Sequence, residues 1–356
     1  MHIAYLIGTR PEAIRSARIL EILEADRDVR LTLISSGQHF DWNMLPGFIH
    51  ELSLPPVTID LQVGRGSPAD HVASILAGLA AAIRSDLPDA LCVFGDTSST
   101  LAGGLAAALL EVPLVHIEAG CRSFDMSMPE EINRRLVDHA AGLLLAVSDV
   151  GRQNLVREAV PGRIEVVGDP QYDVFAREVE TLTPAAAESD ERVGLVTLHR
   201  PSNVDDTKTL FGILDQLDAA AREADLTWIF PVHPRTRRVL EEAPHRSIQH
   251  TEPLLYRDLL AILARASVCV TDSGGLQKEA LWMTVPCVTV RTTTEWLETL
   301  WQGTNVLAPP GSDIVASIVR SLREGDRDYS NPYGDGRASE RIVRVIKEWI
   351  GARTSR

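Results

Sequence analysis

Residues 90–100 read ALCVFGDTSST, five apolar residues on end and then glycine and a burst of small polar groups. The same design recurs along the chain. Apolar runs rich in Val, Ile and Leu predict strands near 2–8, 29–36, 90–95, 114–118, 143–147 and 164–168, and again near 194–199, 227–232, 248–251, 268–271, 286–290 and 304–307. Longer stretches with helical periodicity separate them. A strand with one wet face alternates apolar and polar residues. These runs do not alternate, so both faces of each strand must be covered, as in parallel sheets joined by crossover helices. Two doubly wound α/β halves follow. Organisation is weakest around 170–192, where the chain becomes small, acidic and Pro-containing before the strand pattern restarts at Val193. Domains are therefore expected at 1–170 and 171–337, with a helical tail over 338–356.

Composition narrows the partners. With 356 residues, 45% of them hydrophobic, the chain can bury two medium cores. A net charge of −14 repels nucleic acid and anionic membranes at long range, so neither is expected as a partner. No apolar run reaches the ~18 to 20 residues of a membrane span. The N-terminal MHIAYLIGTRPE reads as a core strand rather than a leader, and a cytoplasmic protein is expected. Cys92, Cys121, Cys269 and Cys287 lie far apart in strand-like contexts, so they are read as small buried hydrophobes and no metal site is expected.

In doubly wound sheets, ligands sit beyond the carboxyl ends of the strands, so chemistry is sought in the residues just after each run. Those residues are GTRPE at 8–12, GDTSST at 95–100, EAGCRS at 118–123, HRPSN at 199–203, HPRTRR at 233–238 and DSGGLQKE at 272–279. They concentrate Arg10, Asp96, Glu118, Arg122, His199, Arg200, His233 and Glu279 at one end of two sheets, and a single ligand cleft explains the set. Each residue also has a plainer reading. Asp96 suits a helix N-cap, and Glu130 after Pro129 suits a first helical turn paired with Arg134. In TDSGGLQKEALWM, two glycines after a strand let backbone approach closely, and the following helix points free N–H groups at the turn. A phosphate is the usual occupant, although a tight turn that binds nothing has the same spacing. Glu279, one helical turn on, is placed to accept ribose hydroxyls.

The motifs GTRPEAI (8–14), FGDTSST (94–100), HIEAGCRS (116–123), MPEEINR (128–134), VTLHRPSN (196–203), TDSGGLQKEA (271–280) and RTTTEW (291–296) together resemble those of the non-hydrolysing UDP-N-acetylglucosamine 2-epimerases, over nearly the whole chain. The resemblance implies two Rossmann-like domains with a cleft between them, the GT-B architecture of glycogen phosphorylase-like glycosyltransferases, with the tail ASERIVRVIKEWIGAR returning to the first domain. It implies inversion at C2 of UDP-GlcNAc to UDP-ManNAc through UDP elimination and 2-acetamidoglucal, with no nicotinamide or other cofactor. It also implies a homodimer built through the first domain. By motif position, Asp96, Glu118 and Glu130 match the catalytic carboxylates and His199 the histidine near the sugar and β-phosphate. Arg10 and Ser273-Gly274-Gly275 match diphosphate contacts, and Glu279 matches the ribose contact. Arg15 and His233 join them as UDP-side candidates. Which carboxylate is acid and which is base stays open.

The chain departs from the family pattern in three places. Arg15 stands where family members carry lysine after GTRPEAI, and a planar guanidinium cannot place a compact ammonium at the same spot. HRPSN replaces an HRREN-like turn. The stretch LQVGRGSPADHVASIL at 61–76 diverges from the segment tied to allosteric activation, although Gln38 and His39 survive in SGQHF. An altered or absent allosteric response is expected. Three other classes compete: a retaining glycosyltransferase, which has no need of the EAG and MPEE carboxylates; a hydrolysing epimerase, which has GTRAD in place of GTRPE; and a nucleotide-sugar binder without turnover.

Overall fold

The computed structural model describes residues 1–37, 54–64, 66–182, 192–232, 236–237, 240, 247–301, 303–323 and 330–354. The chain divides into two compact units, one formed by Met1–Arg177 with Pro332–Arg356 and the other by Glu178–Asn331. The first is built on β1 (His2–Ile7), β2 (Arg30–Ser35), β3 (Ile59–Asp60), β4 (Ala90–Phe94), β5 (Leu114–Ala119), β6 (Leu143–Ala146) and β7 (Arg163–Val166). Every pairing is parallel, in the order β3-β2-β1-β4-β5-β6-β7. Six of these strands stand where the apolar runs predict them. The seventh, β3, is a two-residue edge strand too short to leave a pattern. Helix Ser98–Leu109 lies close on the sheet because its sequence is small: a Cβ at Gly103 would come within 2.6 Å of Val93 Cγ1.

Helix Ala338–Thr354 belongs to this same unit. Ile342, Ile346 and Ile350, spaced one turn apart, are buried. The backbone N–H groups of Ala338 and Ser339 donate to the two oxygens of Asp173 at 3.0 and 2.6 Å, and Lys347 pairs with Asp26 just beyond helix Arg10–Ala25. The poorly organised stretch expected from residue 170 instead opens with helix Pro170–Glu180, which buries Val174 and Phe175. Residues 183–191 of that stretch lie outside the described residues.

The second unit repeats the plan with β8 (Arg192–Thr197), β9 (Leu226–Pro231), β10 (Ile248–Thr251), β11 (Ala266–Thr271), β12 (Cys287–Thr289) and β13 (Asn305–Leu307), in the parallel order β10-β9-β8-β11-β12-β13. Its largest core side chain, Trp228, donates Nε1–H to the Leu217 carbonyl at 2.7 Å and lies across Gly194, whose missing side chain makes the room. All four cysteines are buried, and burial pushes the Cys92 thiol up to about 12. Among the described residues, no helix is long and apolar enough to cross a membrane.

In both sheets the strand order reverses beside the first strand of the unit, between β1 and β4 and between β8 and β11. At such a switch point the flanking crossovers leave in opposite directions and open a crevice at the carboxyl ends.

Candidate active site

At the switch point of the first unit, two turns are tied together by Glu12 of GTRPE. Its Oε2 accepts the N–H groups of Gly8 and Thr9 at 2.7 and 2.9 Å, and its Oε1 accepts the Thr97 hydroxyl at 2.7 Å. Burial pushes this carboxyl up, and the donors oppose that shift. Gly8 is required here, since a Cβ would fall 1.9 Å from Ser99 Oγ. Arg10 is half-buried at the start of its helix, directly after β1.

Asp96 follows β4 by two residues, and two side chains of helix Pro129–Ala140 hold it. Asn133 Nδ2 donates to the Asp96 carbonyl at 2.8 Å, and Arg134 Nη2 donates to its carboxylate. The helical repeat places Glu130 on the same face, three and four residues before those contacts, and Glu130 is half-buried. Glu131 is fully buried and accepts from the Ser123 N–H at 2.8 Å, the Ser123 hydroxyl at 3.1 Å, Arg135 at 3.2 Å and Arg134 Nη1 at 3.3 Å, pinning the loop between β5 and the helix and bracing the arginine that holds Asp96. The two glutamates after Pro129 thus part: Glu131 clamps the loop, and Glu130 lies on the helix face of Asn133 and Arg134.

Glu118 sits on a bulge where the β5–β6 register shifts, with φ +69, a left-handed conformation costly for a residue with a side chain. The bulge turns its carboxylate toward β4, within 3.4 Å of the space a Cβ on Gly95 would occupy. Arg15 Nη1 donates to both Glu118 oxygens at 2.6 and 2.8 Å, while its guanidinium lies over the Phe94 ring at 4.8 Å. Burial alone would lower the Arg15 pKa, but Glu118, Asp96 and Glu12 more than reverse that. Arg15, Asp96, Glu118 and Glu130 are therefore gathered at one crevice, with each of the acids Asp96 and Glu118 held by an arginine.

At the switch point of the second unit, Asp272 is the organiser. It is fully buried after β11 and accepts the N–H groups of His199 at 3.0 and 3.1 Å and of Arg200 at 2.9 Å, with Asn203 Nδ2 also at 2.9 Å. Its Oδ1 lies 2.8 Å from His199 Nδ1. Burial alone would raise the Asp272 carboxyl, but these partners, led by His199, hold it below the usual range. A carboxylate on Nδ1 leaves Nε2 of His199 on the outward side of a half-exposed ring. Ser273 caps helix Gly274–Trp282, and the first-turn N–H groups of Gly274 and Gly275 have no acceptor within the helix. One turn on, Glu279 is buried and accepts the Tyr256 hydroxyl at 2.8 Å. His199, Ser273, Gly274, Gly275 and Glu279 are thus brought together. His233, Gln38 and His39 lie outside the described residues.

Sequence reading passed over Glu12, Asn133, Asp138 and Asp272. Glu12 and Asp272 were within reach, since each is an acid inside a strand-end motif. Asn133 and Asp138 lie within a helix, where only the packed structure shows what they meet.

The family model described as UDP-N-acetylglucosamine 2-epimerase matches residues 21–347. A UDP-N-acetylglucosamine 2-epimerase of Methanocaldococcus jannaschii is 34% identical over 367 residues, covering 97% of this chain and 99% of the relative. A UDP-2,3-diacetamido-2,3-dideoxy-D-glucuronate 2-epimerase of Pseudomonas aeruginosa is 36% identical over 354 residues, with 97% and 99% covered. The crystal structure of the M. jannaschii UDP-GlcNAc 2-epimerase in complex with UDP-GlcNAc and UDP superposes with a TM-score of 0.89 at 33% identity, over 98% of this chain and all of that one.

Proposed function

Because the chain belongs to the UDP-N-acetylglucosamine 2-epimerase family, we propose that it interconverts UDP-GlcNAc and UDP-ManNAc without hydrolysis, in the cytoplasm. The observation that carries the reading is the crevice beside β1 and β4, where Asp96 and Glu118 are each held by an arginine and Glu130 shares a helix face with the residues that grip Asp96. Inverting a carbon that bears a weakly acidic hydrogen needs a base on one face and an acid on the other.

In the first step a carboxylate removes the C2 proton. The C–H electron pair forms the C1–C2 double bond, and the C1–O bond breaks with its electrons leaving on the β-phosphate. The products are 2-acetamidoglucal and UDP. UDP stays bound through the Ser273-Gly274-Gly275 turn, the outward Nε2 of His199, Arg10 and the ribose contact of Glu279, with His233 a further candidate. A second carboxyl then protonates C2 from the opposite face as the β-phosphate oxygen returns to C1. Water is not consumed, and no cofactor takes part. Asp96, Glu118 and Glu130 provide the acid and the base between them, and fixed charges and dipoles around the site stabilise the expelled diphosphate.

The test is proton NMR of purified protein with UDP-GlcNAc in heavy water. The reading expects UDP-ManNAc carrying deuterium at C2. Free ManNAc would indicate the hydrolysing branch, and retention of the C2 hydrogen would exclude elimination.

Arg15 favours a second substrate of the same class. Its planar guanidinium holds Glu118 through Nη1 while lying over the Phe94 ring, a stacking the family lysine would not make, and the P. aeruginosa relative is named for a UDP-diacetamido uronic acid. A higher kcat/KM for that sugar than for UDP-GlcNAc would select this reading. A homodimer through the first unit is part of the proposal. Leu105 and Leu109 on helix Ser98–Leu109, and Ile132 and Leu136 on helix Pro129–Ala140, form exposed i, i+4 pairs, with Leu109 73% exposed.

A further inference from the structure

His116, in the middle of β5, takes no part in the steps above, yet its surroundings are among the most constrained in the first unit. It is fully buried. Its Nε2 lies 2.8 Å from the Gly95 carbonyl oxygen and its Nδ1 lies 2.6 Å from Asp138 Oδ1. A carbonyl can only accept, so Nε2 must carry a proton. Asp138 is also committed as an acceptor, because its other oxygen receives Arg122 Nη2 at 2.7 Å and the Gly120 N–H at 3.2 Å. Burial alone would raise the Asp138 carboxyl, but His116 and Arg122 more than reverse that. The ring is therefore held at both nitrogens, on one side by the Gly95 carbonyl and on the other by Asp138.

Arg122 also donates to Glu158 at 2.7 and 2.9 Å, so Arg122 faces two carboxylates, and Arg135 is shared between Glu158 and Glu131. Asp138 is thus anchored in a wider network of ion pairs that fixes the side of the ring away from Gly95.

The ring acts on the peptide that carries Asp96. Gly95 has φ +68, its N–H donates to the Ile117 carbonyl at 3.0 Å, and its own carbonyl is the one His116 holds. The next carbonyl, that of Asp96, is held by Asn133. We propose that His116, held in orientation by Asp138, is a positioning residue that clamps the Gly95–Asp96 peptide and so aims the Asp96 carboxylate at the reacting carbon. This rests on the epimerase reading for the role of Asp96, whereas the clamp itself stands on the two ring hydrogen bonds.

Steady-state kinetics test it. His116→Phe should lower kcat by about 10²-fold, the scale of a small misplacement of a reacting group, with KM nearly unchanged. His116→Gln, which can still donate to Gly95, should recover part of that loss. Full kcat in His116→Phe overturns the inference even if epimerisation is confirmed, and so does a His116→Gln variant no faster than His116→Phe. A wild type without epimerase activity would fail the functional reading and with it the role given to Asp96. If His116→Phe does not fold, Asp138→Asn, which loosens the ring without removing its bond to Gly95, should lower kcat with KM nearly unchanged, and full kcat there overturns the inference.

Discussion

Arg15, a residue that departs from the family pattern, grips Glu118, which keeps to it. One guanidinium nitrogen donating to both carboxylate oxygens holds Glu118 in one orientation on a strained bulge. Arg15→Ala should therefore cost about 1.5 to 3 kcal/mol in kcat/KM, the range for a lost hydrogen bond to a charged group, read from steady-state kinetics. Arg15→Lys replaces a planar guanidinium stacked on Phe94 with a point charge, and it should shift the preference between UDP-GlcNAc and the diacetamido sugar in a competition assay. The two glutamates of MPEE give a sharper contrast. Glu130→Gln should lower kcat by ~10²- to 10⁴-fold with an unchanged melting temperature, as expected when a general acid or base is removed. Glu131→Gln should do the reverse, lowering stability by about 1 to 3 kcal/mol through its loop contacts while keeping more of the turnover. Equal effects on both properties in both variants would show that the helix face does not divide the two roles.

At the scale of the element, each site is a strand end locked to a helix start by a buried acid. Glu12 does this beside β1 and Asp272 beside β11. Sequence shows that these acids exist but not what they hold, because their partners are backbone N–H groups made available only by the turn. Asp272 accepts from two backbone donors, an amide and an imidazole, so Asp272→Ala leaves several buried donors unsatisfied. At about 1 to 3 kcal/mol for each unsatisfied group, the second unit should melt well before the first, which differential scanning calorimetry would resolve. The conservative Asp272→Asn keeps an acceptor oxygen but loses the charge. It should bind UDP more weakly by titration calorimetry because His199 is no longer held in orientation. Wild-type UDP affinity in Asp272→Asn would place His199 outside the phosphate site.

For the whole molecule, acid is the informative perturbation. Asp138, Glu158 and Asp272 all have folded pKa values below their ordinary ones. Such groups bind protons more weakly when folded, so their stabilisation is complete above the ordinary carboxylate range and is lost as pH falls through the lowered values. Glu12 and Asp173 are shifted the other way by burial, and they oppose part of that loss. Urea unfolding midpoints should therefore hold steady near neutrality and fall once pH drops below about 4. A midpoint that rises over that interval would mean the raised carboxyls dominate. For the proposed homodimer, Leu109→Glu places a charge in the exposed stripe, and sedimentation should show a dimer for the unaltered chain and a monomer for the variant; a monomer for both would overturn the assembly proposal.

Periodicity alone determined the architecture. Unbroken apolar runs can be satisfied only by covering both faces, and the twelve predicted strands coincide with twelve of the thirteen among the described residues. The motifs after those runs supplied the residues proposed for the chemistry, because a doubly wound sheet presents its strand ends to one crevice. Three further decisions belonged to the tertiary structure. One was the edge strand β3, which depends on its neighbour for its hydrogen bonds. Another was the separation of Glu130 from Glu131, adjacent in sequence but on different faces of a helix whose orientation is set by packing. The last was the buried chain from Asp138 through His116 to Gly95, whose members lie 22 and 21 residues apart. Local pattern reports which residues are buried, but it does not report which buried charge meets which. That pairing is set by register between strands and by the angle of the covering helix, and both are properties of the folded whole.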